Sequence, residues 1–429
     1  MVKLFELIKN QKSKLVLAKL SAIQVVLNFL VSILVIRKVG VGAELDVYYI
    51  AMAVFAFLYS SINWSLASVA APYLIQHRGE NKEGRFFVTV ACLTLPLGIF
   101  VALTLPLWAE VVFANYLNTV SMTTIYTVQA VLVAAFMVDS LLVVFTAYLQ
   151  EQNRYILFNG AMAGASLVGL LFVYALIDTL GVVVAAFNQL VMKLFILIWM
   201  LVIFGKKIKP FMAFDKQMFY EIIRRVKYIL MGSFYFKTDE VVEKYIASYL
   251  MPGFVSIIGF VQRVYGAFVS VINSVIGVPS MTVFSNFIKD GKVHELKPIL
   301  YRYIAILSTI SLCAFVGVYW IGEMTFVWVM GDKLPEDMVP MLRMTMYVLF
   351  SFVCLKPINL VLQCLLLSLN EGDKATAYEA VTFTISVGLK VGLTIAYGME
   401  GLLLAIMLGY ILTDVAKFYL VLKELKKLN

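Results

Sequence analysis

Seven basic residues interrupt long apolar stretches of this chain: Lys193, Lys237, Lys244, Arg263, Lys356, Lys390 and Lys417. A base at the centre of a lipid bilayer costs about 2.5–3.5 kcal/mol, so each needs a partner, a wet cavity or a ligand. Two have acids at helical spacing, Glu240 before Lys244 and Asp414 before Lys417, and these spacings predict structural ion pairs. Lys237 has Glu240 three residues on, whereas Arg263 and Lys356 have no acid at such spacing, so their partner belongs to another helix or to a ligand. Arg263, Lys237, Lys356 and Lys390 are thus candidate binders of an anionic group through charge-assisted hydrogen bonds. Asp139, the lone acid of its apolar run, and Asp239, Glu240 and Glu243 are candidates for ion coupling. Polar side chains recur on single helical faces: Ser21, Gln24, Asn28 and Ser32 in one stretch, Arg263, Ser270, Asn273 and Ser274 in another. With Asn63 and Gln262, the Gln24, Asn28 and Asn273 amides are the polar groups expected to line a cavity, although small polar residues also bond helix to helix.

Other chemistry is poorly supplied. Cys92, Cys313, Cys354 and Cys364 lie in apolar runs without metal-ligand spacing, and His77 and His294 sit in polar connectors. No GxxxxGK[ST] phosphate loop occurs. The expectation is a protein without cofactor or metal, and not an enzyme.

The elements that must hold these residues are set by composition. Of 429 residues, 62% are hydrophobic and 14% charged, with a mean hydropathy of +0.92. Soluble domains are about 45–50% apolar and about 25% charged, so an ordinary soluble enzyme, a disordered chain and a nucleic-acid binder are excluded. The net charge of +9 is spread as punctuation between apolar runs, with no basic face for nucleic acid. A span needs about 20 apolar residues, and twelve stretches qualify, near 15–36, 45–75, 86–113, 122–149, 155–177, 182–204, 228–250, 254–284, 303–329, 341–369, 377–396 and 402–422. Lys237 and Arg263 then lie ~15 and ~14 Å into the seventh and eighth spans, and Lys356 and Lys390 ~22 and ~20 Å into the tenth and eleventh.

Positive charge sets the orientation. With the N-terminus in the cytosol, 24 of the 35 Lys and Arg fall in cytosolic segments, 4 on the opposite face (Arg37, Lys38, Lys333 and Arg343) and 7 within spans. Both termini are therefore expected to be cytosolic. The most basic connector, 206–227, holds Lys206, Lys207, Lys209, Lys216, Arg224, Arg225 and Lys227.

That connector lies at the midpoint, and the halves on either side match in order. Ser60 and Asn63 pair with Ser270 and Asn273, Glu110 and Phe113 with Glu323 and Phe326, and Glu151, Arg154, Ser166 and Gly181 with Glu371, Lys374, Ser386 and Gly401. The expected fold is an all-α integral membrane protein of about twelve helices. They form an N-terminal six-helix lobe (1–205) and a C-terminal six-helix lobe (228–429), related by a pseudo-twofold axis around a central cavity. Such lobes suit transport by rocking about a central site.

Three stretches carry a resemblance: Gly42-Ala-Glu-Leu-Asp46-Val-Tyr-Tyr-Ile through Asn63 to Ala71-Pro72; Tyr148-Leu-Gln-Glu-Gln-Asn-Arg154 with Gly181 beyond; and Glu243-Lys-Tyr-Ile-Ala through Gln262-Arg263-Val-Tyr to Val278-Pro279. Together they resemble the multidrug/oligosaccharidyl-lipid/polysaccharide exporter superfamily, and within it the O-antigen (Wzx-type) polysaccharide flippases. The resemblance implies movement of an undecaprenyl-pyrophosphate-linked repeat unit across the bacterial inner membrane for O-antigen and lipopolysaccharide biosynthesis. Membrane lipid is a further implied partner, with a polysaccharide polymerase and chain-length proteins as accessory ones. Arg263 corresponds by position to a basic cavity residue of the lipid II flippase branch. The acid typical beside it there is Gln262 here, and that branch has two further helices, so twelve spans favour the polysaccharide branch. Two other readings stay open: a cation-coupled drug exporter of the same fold, expected to have a more acidic cavity, and a membrane polysaccharide polymerase, expected to have a larger periplasmic loop than that around 331–340.

Overall fold

The computed structural model describes residues 2–76, 83–152, 154–208, 213–351, 353, 355–369 and 371–428; His77, Lys209 and Cys354 lie outside them. The described chain is helical throughout its length, and contacts divide it into Met1–Val241 and Val242–Asn429. Seven helices run to the boundary: α1 (Val2–Val39), α2 (Ala43–Gln76), α3 (Glu83–Val112), α4 (Met122–Glu151), α5 (Tyr155–Leu180), α6 (Val183–Ile208) and α7 (Lys216–Ser248), the last crossing it. The second unit continues with α8 (Phe254–Ile272), α9 (Val278–Lys289), α10 (Leu296–Gly317), α11 (Glu323–Met330), α12 (Val339–Ser351), α13 (Leu355–Ser368) and α14 (Gly372–Leu428).

These fourteen segments make the twelve expected rods. Single π-helical turns, Asn273–Gly277 and Val318–Gly322, join α8 to α9 and α10 to α11, and α12 and α13 form one interrupted rod. Pro357, in the first turn of α13, suits that restart because its missing N–H would have no helical acceptor. Conversely, α14 is two rods: Gly398, at φ 59, turns the chain between 372–397 and 399–428. Lys374 ties the open end of this hairpin, reaching Glu371 at 2.7 Å and Glu424 at 3.2 Å.

Among the described residues, nine helical stretches are long and apolar enough to cross a membrane, one of them holding both α14 rods. The seventh expected span is the exception in composition, since α7 carries Lys237, Asp239, Glu240, Glu243 and Lys244. The solvent of the outer faces is hydrocarbon: Leu103, Leu107, Trp320 and Ile395 are 75–82% exposed, which water would penalise and lipid does not. Within the first unit, α4 is central, packed by α2, α3 and α6, while α1 and α5 pair alongside. Its core joins Leu66 and Phe86 to Phe145, Tyr148, Met200 and Phe204, with Met218 and Ile222 of α7 closing one end. Within the second unit, α13 packs against α9 and α14, and α12 against α8.

Candidate functional site

Most of the buried charges gather in three clusters, with Asp46 and Glu424 apart from them. In the first unit, Asn63 of α2, Asp139 of α4 and Lys193 of α6 meet where these helices pack. Asn63 Nδ2 donates to Asp139 Oδ2 at 2.9 Å, and the Lys193 ammonium pairs with Asp139 Oδ1. Both carboxylate oxygens are used and Asp139 is 5% exposed, so the charge is neutralised inside the protein. Asp139 and Lys193 border a cavity of about 230 Å³ whose other walls include Met52, Phe55, Leu132, Phe136 and Gln189. Sequence spacing missed this pair because its members lie on different helices.

The second cluster is built on α7, α8 and the first rod of α14. Glu243 Oε2 accepts from Lys390 Nζ at 3.3 Å, and its Oε1 accepts from Gln262 Nε2. The Lys244 ammonium donates to Gln262 Oε1 and lies 3.9 Å from Glu243 Oε1. Glu243, Lys244 and Lys390 are each 2% exposed, so two ammonium groups share one carboxylate, with the Gln262 amide as relay. This differs from the expected Glu240–Lys244 pair. Glu240 is exposed, and Lys244 lies on the face of α7 that meets α8, where Gln262 and Glu243 supply the oxygens.

The third cluster spans α13 and both rods of α14. Lys417 Nζ donates to Asn359 Oδ1 at 2.8 Å and pairs with Glu379 Oε2 at 3.3 Å. Asn359 Nδ2 donates to Asp414 Oδ1 at 2.8 Å. The expected Asp414–Lys417 contact is therefore replaced by one relayed through Asn359, because Lys417 is drawn to the more available Glu379. Asn359 stands 220 residues after Asp139, the offset of the matched pairs from Glu151 and Glu371 onward, and each of the two side chains joins neighbouring helices.

The remaining expected residues are more dispersed. Lys356, exposed, places its ammonium 5.2 Å from the ring centres of both Tyr265 and Tyr410, a cation–π clamp that offsets loss of water. Lys237 is exposed, Asp239 and Arg263 are half-buried, and Arg263 follows Gln262 directly on α8. Gln24 and Asn28 are half-buried on α1, where the Ser32 hydroxyl donates to the Asn28 carbonyl at 3.1 Å. Asn273 opens the π-helical turn after α8, and its side-chain oxygen is buried with no hydrogen-bond partner. Such turns recur at functional sites. The structure thus brings Gln262, Glu243 and Lys390 together, and separately Asn63 and Asp139. Among the described residues no group of three or more His, Cys, Asp or Glu is arranged to hold a metal ion.

Apolar rods, lipid-exposed faces and buried charge clusters define a multi-pass α-helical membrane protein, and its two-lobe fold is that of the MOP-superfamily transporters. The chain is similar to a multidrug resistance MATE family transporter in an inward-facing conformation, at 17% identity and a TM-score of 0.77 over 94% of this chain and 95% of that one. It is equally similar to the lipid II flippase MurJ in an inward closed conformation, at 14% identity and a TM-score of 0.78 over 96% and 90%. A MOP-superfamily transporter from Pyrococcus furiosus, described as having a binding pocket of reverse polarity, matches at 15% identity and a TM-score of 0.65 over 96% and 95%. No protein-family model matches the chain, and no curated protein matches it.

Proposed function

We propose that this protein is a flippase that moves an undecaprenyl-pyrophosphate-linked oligosaccharide repeat unit from the cytosolic to the periplasmic leaflet of a bacterial inner membrane. Alternating access of the two lobes carries the cargo, and an ion gradient or the membrane potential, worth about 2.3 kcal/mol per charge per 100 mV, drives it. One observation carries the reading: the buried cluster on α7, α8 and α14 holds Lys244 and Lys390 against the single carboxylate of Glu243, with Arg263 beside it in sequence. A surplus of base within apolar helices suits a pyrophosphate and opposes a cationic drug. A lipid-linked cargo also fits the similarity to a protein described as a lipid II flippase.

The similarity to a multidrug resistance transporter favours the second reading, a drug exporter. A deletion strain separates the two. Loss of surface polysaccharide with lipid-linked repeat units held on the cytosolic leaflet supports the flippase. Normal polysaccharide with new drug sensitivity supports the exporter. Alanine at Arg263, Lys237 and Lys356 together is expected to abolish complementation at normal protein levels; intact flipping would remove these residues from headgroup binding.

A further inference from the structure

A recess runs along one side of the second unit. Tyr301, Ile304, Ser308, Ser311 and Phe315 recur every three or four residues and so share one face of α10. Two adjoining cavities follow that face, of about 260 and about 310 Å³, and Leu355 and Ile358 of α13 wall both of them. Val415 and Phe418 of α14 complete the first, and Leu312 and Ser351 the second. Val415 and Leu312 are 61% and 63% exposed, so the recess opens outward. The surface of the first cavity is apolar; Asp414, in its wall, is 8% exposed and its Oδ1 is turned to the Asn359 amide.

The two ends of the recess differ. The farthest wall along α10 is Phe315, whose ring lies 6.4 Å from those of Tyr319 and Tyr347, so an aromatic cluster closes that end. The other end is basic. Lys297 lies one turn before Tyr301 on the same face of α10, and Arg302 follows Tyr301 directly. On the second rod of α14, Val415, Leu422 and Lys426 share a face. All three bases are exposed, and the Tyr301 and Phe418 rings, 6.1 Å apart, join the two helices just above them. The acids nearby are engaged: Glu424 accepts from Lys427 at 2.7 Å and from Lys374 at 3.2 Å, and Glu295 lies 3.9 Å from His294 Nε2.

These dimensions select the occupant. From Tyr301 to Ser311 the recess covers about 15 Å of helix, which equals one leaflet of a hydrocarbon core about 30 Å thick. A helix of a second copy, about 10–12 Å across with its side chains, is too wide to enter. A polyprenyl tail longer than a leaflet would overrun the aromatic stop. A single acyl chain fits, and its headgroup then lies among bases whose stems can follow the apolar wall while their charges reach the interface.

We propose that this recess is a binding site for one anionic phospholipid. An acyl chain lies along α10 between α13 and the second rod of α14, and Lys297, Arg302 and Lys426 hold the phosphate by charge-assisted hydrogen bonds. The site stands whether or not the protein moves a glycan.

The test uses the full chain in phosphatidylcholine nanodiscs containing phosphatidylglycerol with a diazirine in its acyl chain, with adducts mapped by mass spectrometry after illumination. Adducts should concentrate at 304–312, 355–362 and 415–418. Each base beside an anionic headgroup favours binding about fivefold, so unlabelled phosphatidylglycerol should compete about tenfold or more better than phosphatidylcholine of the same chains. Lys297→Gln with Lys426→Gln should remove that preference, and Ile358→Trp, which fills the recess, should remove these adducts while sparing those on α3. Adducts spread evenly over exposed faces, Leu103 and Leu107 of α3 included, would mean bulk lipid contact only and overturn the proposal. Equal competition by phosphatidylcholine would overturn it too, as would crosslinks to a second copy at 355–362 in place of lipid. Labelling and competition in the unaltered chain decide the matter even if the variants do not fold.

Discussion

Removing the Lys193 ammonium would leave Asp139 as an uncompensated charge inside a helix bundle, and this is where single residues matter most. Breaking a buried pair by deleting one partner costs about 3–5 kcal/mol, whereas replacing both with apolar groups of similar volume is often close to neutral. Lys193→Met should therefore sharply lower the melting temperature of the purified protein, and Asp139→Leu in the same chain should restore much of it. If the double variant is no more stable than Lys193→Met, the pair is not the source of the loss. A second buried acid, Asp46, shows the same logic at the end of a span. Tyr116, in the turn after α3, donates from its hydroxyl to Asp46 Oδ2 at 3.1 Å. Burial, and then the Asp46 carboxylate beside it, push the Tyr116 phenol well above the ordinary tyrosine range, so it remains a donor at every physiological pH. Tyr116→Phe removes a donor from a fully buried carboxylate and should cost about 1–3 kcal/mol, read as lost thermal stability. Neither contact was legible in the sequence, because Asp46 lies 70 residues from Tyr116 and Asp139 lies 54 from Lys193, and local spacing reports only partners a turn apart. Where spacing did suggest pairs, at Glu240–Lys244 and Asp414–Lys417, amides on neighbouring helices won the lysines or relayed them.

At the scale of elements, the hairpin of α14 depends on close approach of its two rods. A Cβ at Gly409 would fall on the Ser386 side chain, and one at Gly401 on the backbone at Leu393. The Ser386 side chain can be shortened, but the backbone at Leu393 has no equivalent relief. Gly409→Ala is therefore expected to lower stability or expression, and Ser386→Gly to suppress it, while Gly401→Ala should admit no such suppressor. Failure of Ser386→Gly to help, with Gly409→Ala clearly impaired, would mean that the second rod is held by something other than this contact. The rods themselves were readable from the sequence because twenty apolar residues are a strong, local signal of membrane-spanning length. Breaks inside rods were less so. Pro357 marked one, but the π-helical turns after α8 and α10 arise in apolar sequence with no proline at the turn itself. At the first turn close packing and a nearby proline coincide: a Cβ at Gly277 would meet Leu360 of α13, the Cys364 thiol lies 3.8 Å from the Gly277 carbonyl oxygen, and Pro279 two residues on has no N–H to bond back into the turn.

For the molecule as a whole, orientation follows from a quantity that no helix carries alone. The 24-to-4 partition of Lys and Arg between the two sides is large enough that losing any one connector leaves its sign unchanged, and short basic loops resist translocation. The connector 206–227 supplies 7 of the 24, so in the proposed topology it is the largest single contributor to the bias. A fluorescent-protein fusion after residue 429 should therefore be bright, since the reporter matures in the cytosol. An alkaline phosphatase fusion within 331–340 should be active, since that enzyme matures only outside it. Replacing Lys206, Lys207, Arg224 and Arg225 with Gln should weaken, without inverting, both signals, because 20 of the 24 charges would remain. A dark C-terminal fusion together with an inactive phosphatase fusion would invert the proposed topology. Under the proposed flippase reading the cargo would still leave from the cytosolic leaflet, where its glycan is assembled, and the opposite face of the protein would be the one that first receives it.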